Sequence, residues 1–148
     1  MLFRSVSDVD ASRAKRVADE FGARVVPVDQ IHMEKVDVFS PCAFGAGLNE
    51  TTIPQLRCGI VAGGANNQLA TAADAKRLSE RDIAYAPDFI TNAGGVIYLG
   101  QEVLGWSADQ TKAKVDGIYE TVRQVFQRAS KRNETTAEAA VELAKERL

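Results

Sequence analysis

A single histidine, His32, stands in 148 residues. That excludes any site built on two imidazoles, such as a paired-histidine zinc site. A Ser-His-Asp triad would have to use His32, and no motif around it supports that role. Cysteine is as scarce: Cys42 and Cys58 are the only two, without Cys-x-x-Cys spacing, which reads as free buried thiols in a reducing compartment. An excess of either charge is missing too. The 18 basic and 20 acidic side chains leave a formal charge of −2, so nothing favours nucleic acid or an anionic membrane as a partner. No stretch approaches the ~20 apolar residues of a membrane span, and the opening Met-Leu-Phe-Arg-Ser lacks the layout of a signal peptide. A soluble, cytoplasmic chain is expected. Proline is rare, 4 against 11 glycines, and 45% of the residues are hydrophobic. That composition excludes disorder and low complexity and suits one ordinary domain with a single core.

Short apolar runs alternate with helical patterns. Residues 2–6, 24–28, 36–39, 59–62 and 83–86 read as β-strands. Asp10 is a fair N-cap for a helix whose stripe is Ala14, Val17, Ala18 and Phe21, and Gly22 stops it. One helical turn is expected within residues 30–35, a short helical piece near 51–56 and a helix near 72–80. Strands alternating with helices predict an α/β fold, a doubly wound parallel sheet covered on both faces. After Gly95 the pattern is helix only. Ser107 with Gln110 and Thr135 with Glu138 form two capping boxes. The first opens a run in which Val115, Ile118, Tyr119, Val122, Val125, Phe126 and Ala129 recur at helical spacing. This stripe could seat a partner subunit, but packing on its own domain is favoured. The division expected is a partial dinucleotide-binding domain over residues 1–106 and C-terminal helices over 107–148.

Three glycine clusters follow predicted strands: Phe44-Gly45-Ala46-Gly47, Gly63-Gly64-Ala65-Asn66-Asn67 and Asn92-Ala93-Gly94-Gly95. The last is separated from its strand by an expected turn at residues 87–91. Ligands of parallel sheets sit beyond the carboxyl ends of the strands, where glycines admit close backbone approach. Asparagine offers both donor and acceptor, which suits an amide such as a nicotinamide carboxamide. One cluster alone would mean only a tight turn; three at equivalent places point to a cleft. Asp8 follows a strand and precedes a helix, where a carboxylate can hold adenosine ribose hydroxyls, although an Asx turn or cap is its commoner use. Its charge would repel a 2′-phosphate, favouring NAD over NADP. The glycine loop Gly-x-Gly-x-x-Gly, expected about 20 residues ahead of such an acid, is missing. The decoy Gly45-Ala46-Gly47-Leu48-Asn49-Glu50 follows the wrong strand and ends in Glu50.

The runs Asp37-Val38-Phe39-Ser40-Pro41-Cys42-Ala43, Ile53-Pro54-Gln55-Leu56, Ala65-Asn66-Asn67-Gln68-Leu69, Tyr85-Ala86-Pro87-Asp88-Phe89 and Asn92-Ala93-Gly94-Gly95-Val96-Ile97, together with the ending 137–148, carry a resemblance. In series, across essentially the whole chain, they resemble the NAD-binding half of the glutamate/leucine/phenylalanine/valine dehydrogenases, its leucine branch most of all. The resemblance implies oxidative deamination of a branched-chain L-amino acid to its 2-oxo acid and ammonium, with NAD as hydride acceptor. It implies that Asp8 takes the adenosine ribose, that Cys42 and Ala43 line the cofactor cleft, and that Asn66 and Asn92 reach the nicotinamide end. Val96 and Leu99, spaced i, i+3, would be two apolar walls of the substrate pocket.

The family's substrate domain, its catalytic lysine and acid, the first strand and the glycine loop have no counterpart in these 148 residues. No lysine can inherit the catalytic role: Lys112 and Lys114 open a helix and Lys76 sits on a polar face. The chain alone is therefore expected to be inactive, with the N-terminal substrate domain as its missing partner and homo-oligomer assembly a further expectation. In the strand order 3-2-1-4-5-6 the first strand is central. Without it, its two neighbours must pair directly or leave an open slot. The alternative reading is a non-catalytic oligomerisation or regulatory module derived from the same family.

Overall fold

The structure, a computed structural model, describes residues 4–147. Leu2 and Phe3 of the expected first strand, and Leu148 at the end of the last helix, lie outside the described residues. In chain order come β1 (Ser5–Val6), α1 (Ala11–Phe21), β2 (Arg24–Val25), β3 (Val38–Phe39), β4 (Ile60–Val61), α2 (Ala73–Ser79) and β5 (Ala84–Tyr85). Four helices follow: α3 (Asp88–Thr91), α4 (Gly94–Leu104), α5 (Ala108–Arg132) and α6 (Thr136–Lys145). Single 3₁₀ turns at Ile31–Met33 and Ile53–Gln55 fill the two short helical pieces expected. All five strands sit where the alternation predicts, each shortened to two residues.

The helix signals act locally and hold. The Asp10 carboxylate accepts from the Ser12 N–H at 2.9 Å, and Gly22, at φ +64°, donates its N–H to the Ala18 carbonyl. Both capping boxes close, Ser107 with Gln110 on α5 and Thr135 with Glu138 on α6. Two expectations fail. The segment 87–91 is not a turn but contains α3, whose N–H groups at Ile90 and Thr91 bond the Pro87 carbonyl. In α1 only Ala14 is buried, while Phe21 is 53% exposed. The two-stranded sheet beneath α1 is too narrow to cover the whole stripe.

Every pairing is parallel, as a doubly wound sheet requires. The sheet is divided, however: β1 pairs with β2, and β3-β4-β5 form a second sheet. Of the two outcomes expected for the neighbours of the central strand, direct pairing does not occur among the described residues. Arg4 and Val6 turn their carbonyls to β2, and Asp37 and Phe39 turn theirs to β4. The alternating geometry of a parallel ladder therefore points the peptide groups of Ser5 and Val38 to the opposite, open edges. Both-face coverage is also incomplete. Phe39, Val61 and Tyr85 share the face under α2, where Val61 is wholly buried. Val38 and Ile60 share the other face and remain 48% and 42% exposed.

Two apolar clusters result. Leu48, Ile53, Leu56, Val61, Leu78, Ile83 and Tyr85 fill the space between the three-stranded sheet and α2. Ile90, Val125, Ala129, Ala139 and Ala140 join α3, α5 and α6. The C-terminal half of the α5 stripe thus packs on its own chain, while Val115 and Tyr119 in the first half stay exposed. A bond of 2.6 Å from the Thr136 hydroxyl to the Tyr85 carbonyl ties α6 to β5.

Candidate functional site

Three loops leave the carboxyl ends of β3, β4 and β5, and two glycines let the first two touch. A Cβ on Gly63 would lie 2.2 Å from the Pro41 carbonyl oxygen, and one on Gly45 would lie 2.7 Å from that of Asn66. The Ala46 N–H donates to the Asn67 carbonyl at 2.7 Å, and the Ala65 N–H to that of Pro41 at 3.0 Å. Ala46 and Asn67 hold left-handed conformations at φ +59° and +51°, a cost that asparagine carries more easily than alanine. Gly94 and Gly95 differ: apart from their chain neighbours and their own helix backbone, no atom stands within 4 Å of a Cβ built there, so the start of α4 faces open space. Gly63→Ala should therefore destabilise the chain by about 1–3 kcal/mol, through a clash with rigid backbone. Gly94→Ala should stay within about 0.5 kcal/mol. Urea unfolding of both variants checks the contrast, and equal effects would refute it.

The loops carry a connected set of polar groups. Asn92, after α3, donates through Nδ2 to Asn66 Oδ1 at 2.5 Å and to the Ala65 carbonyl at 3.5 Å. The Thr91 hydroxyl donates to the Gly63 carbonyl at 2.9 Å. Gln68, buried beneath the β4 loop, donates through Nε2 to the carbonyls of Gly63 and Ala65. The Asp88 carboxylate accepts from the Gln68 and Phe89 N–H groups, each at 2.8 Å. Burial pushes the Tyr85 hydroxyl up to about 12, so it stays neutral and accepts from the Asp88 N–H at 3.3 Å.

The residues singled out in the sequence fall in different places. Asn66 and Asn92 meet directly. Cys42 lies beside the β4 loop, its Sγ 3.5 Å from the Gly64 nitrogen, and the neighbouring Ala43 is exposed. The expectation of two buried thiols is corrected: both cysteines are free, but Cys42 is exposed because its loop lies at the open end of the sheet. Burial of Cys58 pushes its thiol up. Asp8, in the loop after β1 of the separate β1-β2 sheet, accepts the Asp10 N–H at 2.8 Å in an Asx turn. Val96 and Leu99 share a face of α4 and are 74% and 52% exposed. Among the described residues no cluster of His, Cys, Asp and Glu could hold a metal ion, and no helix is long and apolar enough to cross a membrane.

Gln68, Asp88 and Thr91 were not singled out as site residues. Gln68 and Asp88 lie inside the runs that carry the family resemblance, but only their burial under the loops distinguishes them from ordinary polar surface. A polar residue followed directly by Leu69 was the one sign available for Gln68.

Residues 3–148 match the family model described as Glutamate/Leucine/Phenylalanine/Valine dehydrogenase. The leucine dehydrogenase of Thermoactinomyces intermedius is 43% identical over 143 residues, covering 97% of this chain and 39% of that protein. The phenylalanine dehydrogenase of the same organism is 41% identical over 145 residues, with 97% and 40% covered. The crystal structure of L-tryptophan dehydrogenase from Nostoc punctiforme superposes with a TM-score of 0.93 at 41% identity, covering 97% of this chain and 44% of that one. The chain thus spans about 40% of the length of the curated relatives it matches.

Proposed function

The chain belongs to the glutamate/leucine/phenylalanine/valine dehydrogenase family, and from that premise we propose that it is the cofactor-binding part of an NAD-dependent dehydrogenase acting on a branched-chain L-amino acid. The reaction is oxidative deamination to the 2-oxo acid and ammonium. The observation that carries this reading is the direct contact of Asn66 and Asn92, which brings the β4 and β5 loops together beyond the carboxyl ends of the strands. The donor set fits a dinucleotide at its two ends. Asp8 offers a carboxylate after β1, one oxygen of which is engaged in its Asx turn. The asparagines offer paired amides, and the bare start of α4 leaves room beside them.

Bound NAD would supply the hydride acceptor; the chain's residues bind and orient. Asp8 accepts hydrogen bonds from the adenosine ribose hydroxyls and repels a 2′-phosphate. Cys42 and Ala43 line the cleft. Asn66 and Asn92 hold the carboxamide and so fix which ring face meets the substrate. Val96 and Leu99 present apolar walls to an aliphatic side chain and offer no partner to a carboxylate. Residues 1–106 form the cofactor part, and 107–148 the helices that buttress it.

Asp8 gives the test. The chain is fused behind the portion of the T. intermedius leucine dehydrogenase that it does not cover. There, Asp8→Ala should raise the KM for NAD by roughly 10–100-fold, the loss of hydrogen bonds to a charged group. The preference for NAD over NADP should shrink with it. An unchanged KM for NAD and unchanged preference would remove Asp8 from the site.

A further inference from the structure

Gln68 is 1% exposed and uses its amide unevenly. Nε2 makes two bonds, to the Gly63 carbonyl at 2.9 Å and the Ala65 carbonyl at 3.0 Å. Oε1 is buried with no hydrogen-bond partner. A methionine of similar length would fill the same space without an orphaned carbonyl, so packing alone does not call for glutamine. What glutamine adds is two N–H donors on one uncharged group; glutamate has none when ionised, and lysine would bury a charge. Both carbonyls it reaches receive a second donor from the far side of the cleft. Thr91 reaches Gly63 at 2.9 Å, and Asn92 reaches Ala65 at 3.5 Å. The turn that carries Asn66 is thus clamped from beneath by Gln68 and from the α3 side by Thr91 and Asn92. Asp88 anchors the base by accepting the Gln68 N–H at 2.8 Å.

We propose that Gln68 and Thr91 are positioning residues that set the Asn66–Asn92 amide pair. They act on the turn at residues 63–67 and touch no reacting atom. The functional half of this inference rests on the reading of that pair as the seat of the nicotinamide carboxamide; the structural half does not. A loosened turn should weaken cofactor placement and leave amino-acid binding intact, a division that a general loss of stability would not produce.

Hydrogen exchange with mass-spectrometric readout on the full chain, and steady-state kinetics on the fusion described above, test the two halves separately. Gln68→Met should speed exchange in residues 63–68 by about tenfold or more while leaving α5 and α6 unchanged. In the fusion it should raise the KM for NAD by about tenfold, with the KM for L-leucine unchanged. Unchanged exchange in the turn would overturn the proposal, as would equal rises in both KM values. Faster exchange with unaltered kinetics would sustain the clamp and remove the nicotinamide reading instead. Should Gln68→Met fail to fold, Thr91→Val removes one of the two donors to Gly63. Faster exchange confined to the same turn would then support the clamp, and none would overturn it.

Discussion

The 148-residue chain mixed with NAD and L-leucine, L-isoleucine or L-valine should form no NADH, while the same chain fused behind the uncovered part of the T. intermedius leucine dehydrogenase should turn over. Deamination needs a group that takes a proton from the substrate amine and another that grips its carboxylate. A positioned acid or base alone is worth about 10²–10⁴ in rate. The lysines that could be suspected are engaged elsewhere. Lys112 pairs with Asp116 at 2.5 Å and Lys76 with Glu80 at 3.8 Å. Lys114 stands over the ring of Trp106, 4.3 Å from its centre. None of these three ammonium groups bonds to Asn66 or Asn92, so the two samples should differ by about 10⁴-fold or more. Absorbance of NADH reads both directly. Turnover by the chain alone at an enzymatic rate would overturn the reading, and an inactive but folded fusion would count against the cofactor assignment.

Stability should respond as strongly. Among the described residues the edges at Ser5 and Val38 are unpaired and the face bearing Val38 and Ile60 is half exposed, which is what one parallel strand and its following helix would cover. Adding such a strand–glycine loop–helix unit from a relative ahead of Met1 supplies backbone partners worth about 0.5–1.5 kcal/mol each. It also buries side chains worth about 1.5–3 kcal/mol apiece when fully covered. A gain on the order of 5 kcal/mol, at roughly 2–4 °C per kcal/mol, raises the melting temperature by about 10–20 °C. The chain alone should melt early or associate through its edges. Scanning calorimetry with light scattering compares the two. A chain that melts alone as a stable, cooperative monomer, unaffected by the extension, would refute the argument and require another topology.

The elements most legible in the sequence were those whose cause lies within a few residues. Asp10 and Ser12, Ser107 and Gln110, Thr135 and Glu138 close their bonds within one helical turn, so spacing alone located three helix starts. The alternation of apolar runs with helical stripes likewise fixed the parallel class, because parallel neighbours require a crossover between them. The candidate site was legible in its residue types. Asn66 and Asn92 were singled out by chemistry and position, and the structure joins them across a separation of 26 residues.

Tertiary structure decided the rest, and in each case through contacts distant along the chain. Phe21 carries the same helical signal as Ala14, yet only a wider sheet could have buried both. Segment 87–91 reads as a turn because Pro87 breaks a helix when read from its N-terminal side; α3 forms because that same residue supplies a carbonyl that accepts from the Ile90 and Thr91 N–H groups. Gln68 and Asp88 look like surface residues until the β4 loop folds over them. Gly63 looks like any turn glycine until Pro41 arrives 2.2 Å from its absent Cβ. Division of the sheet follows the same rule. A cap satisfies its own donors within one turn, whereas a strand edge is satisfied only by another strand, and which strand that is depends on the whole assembly of the fold.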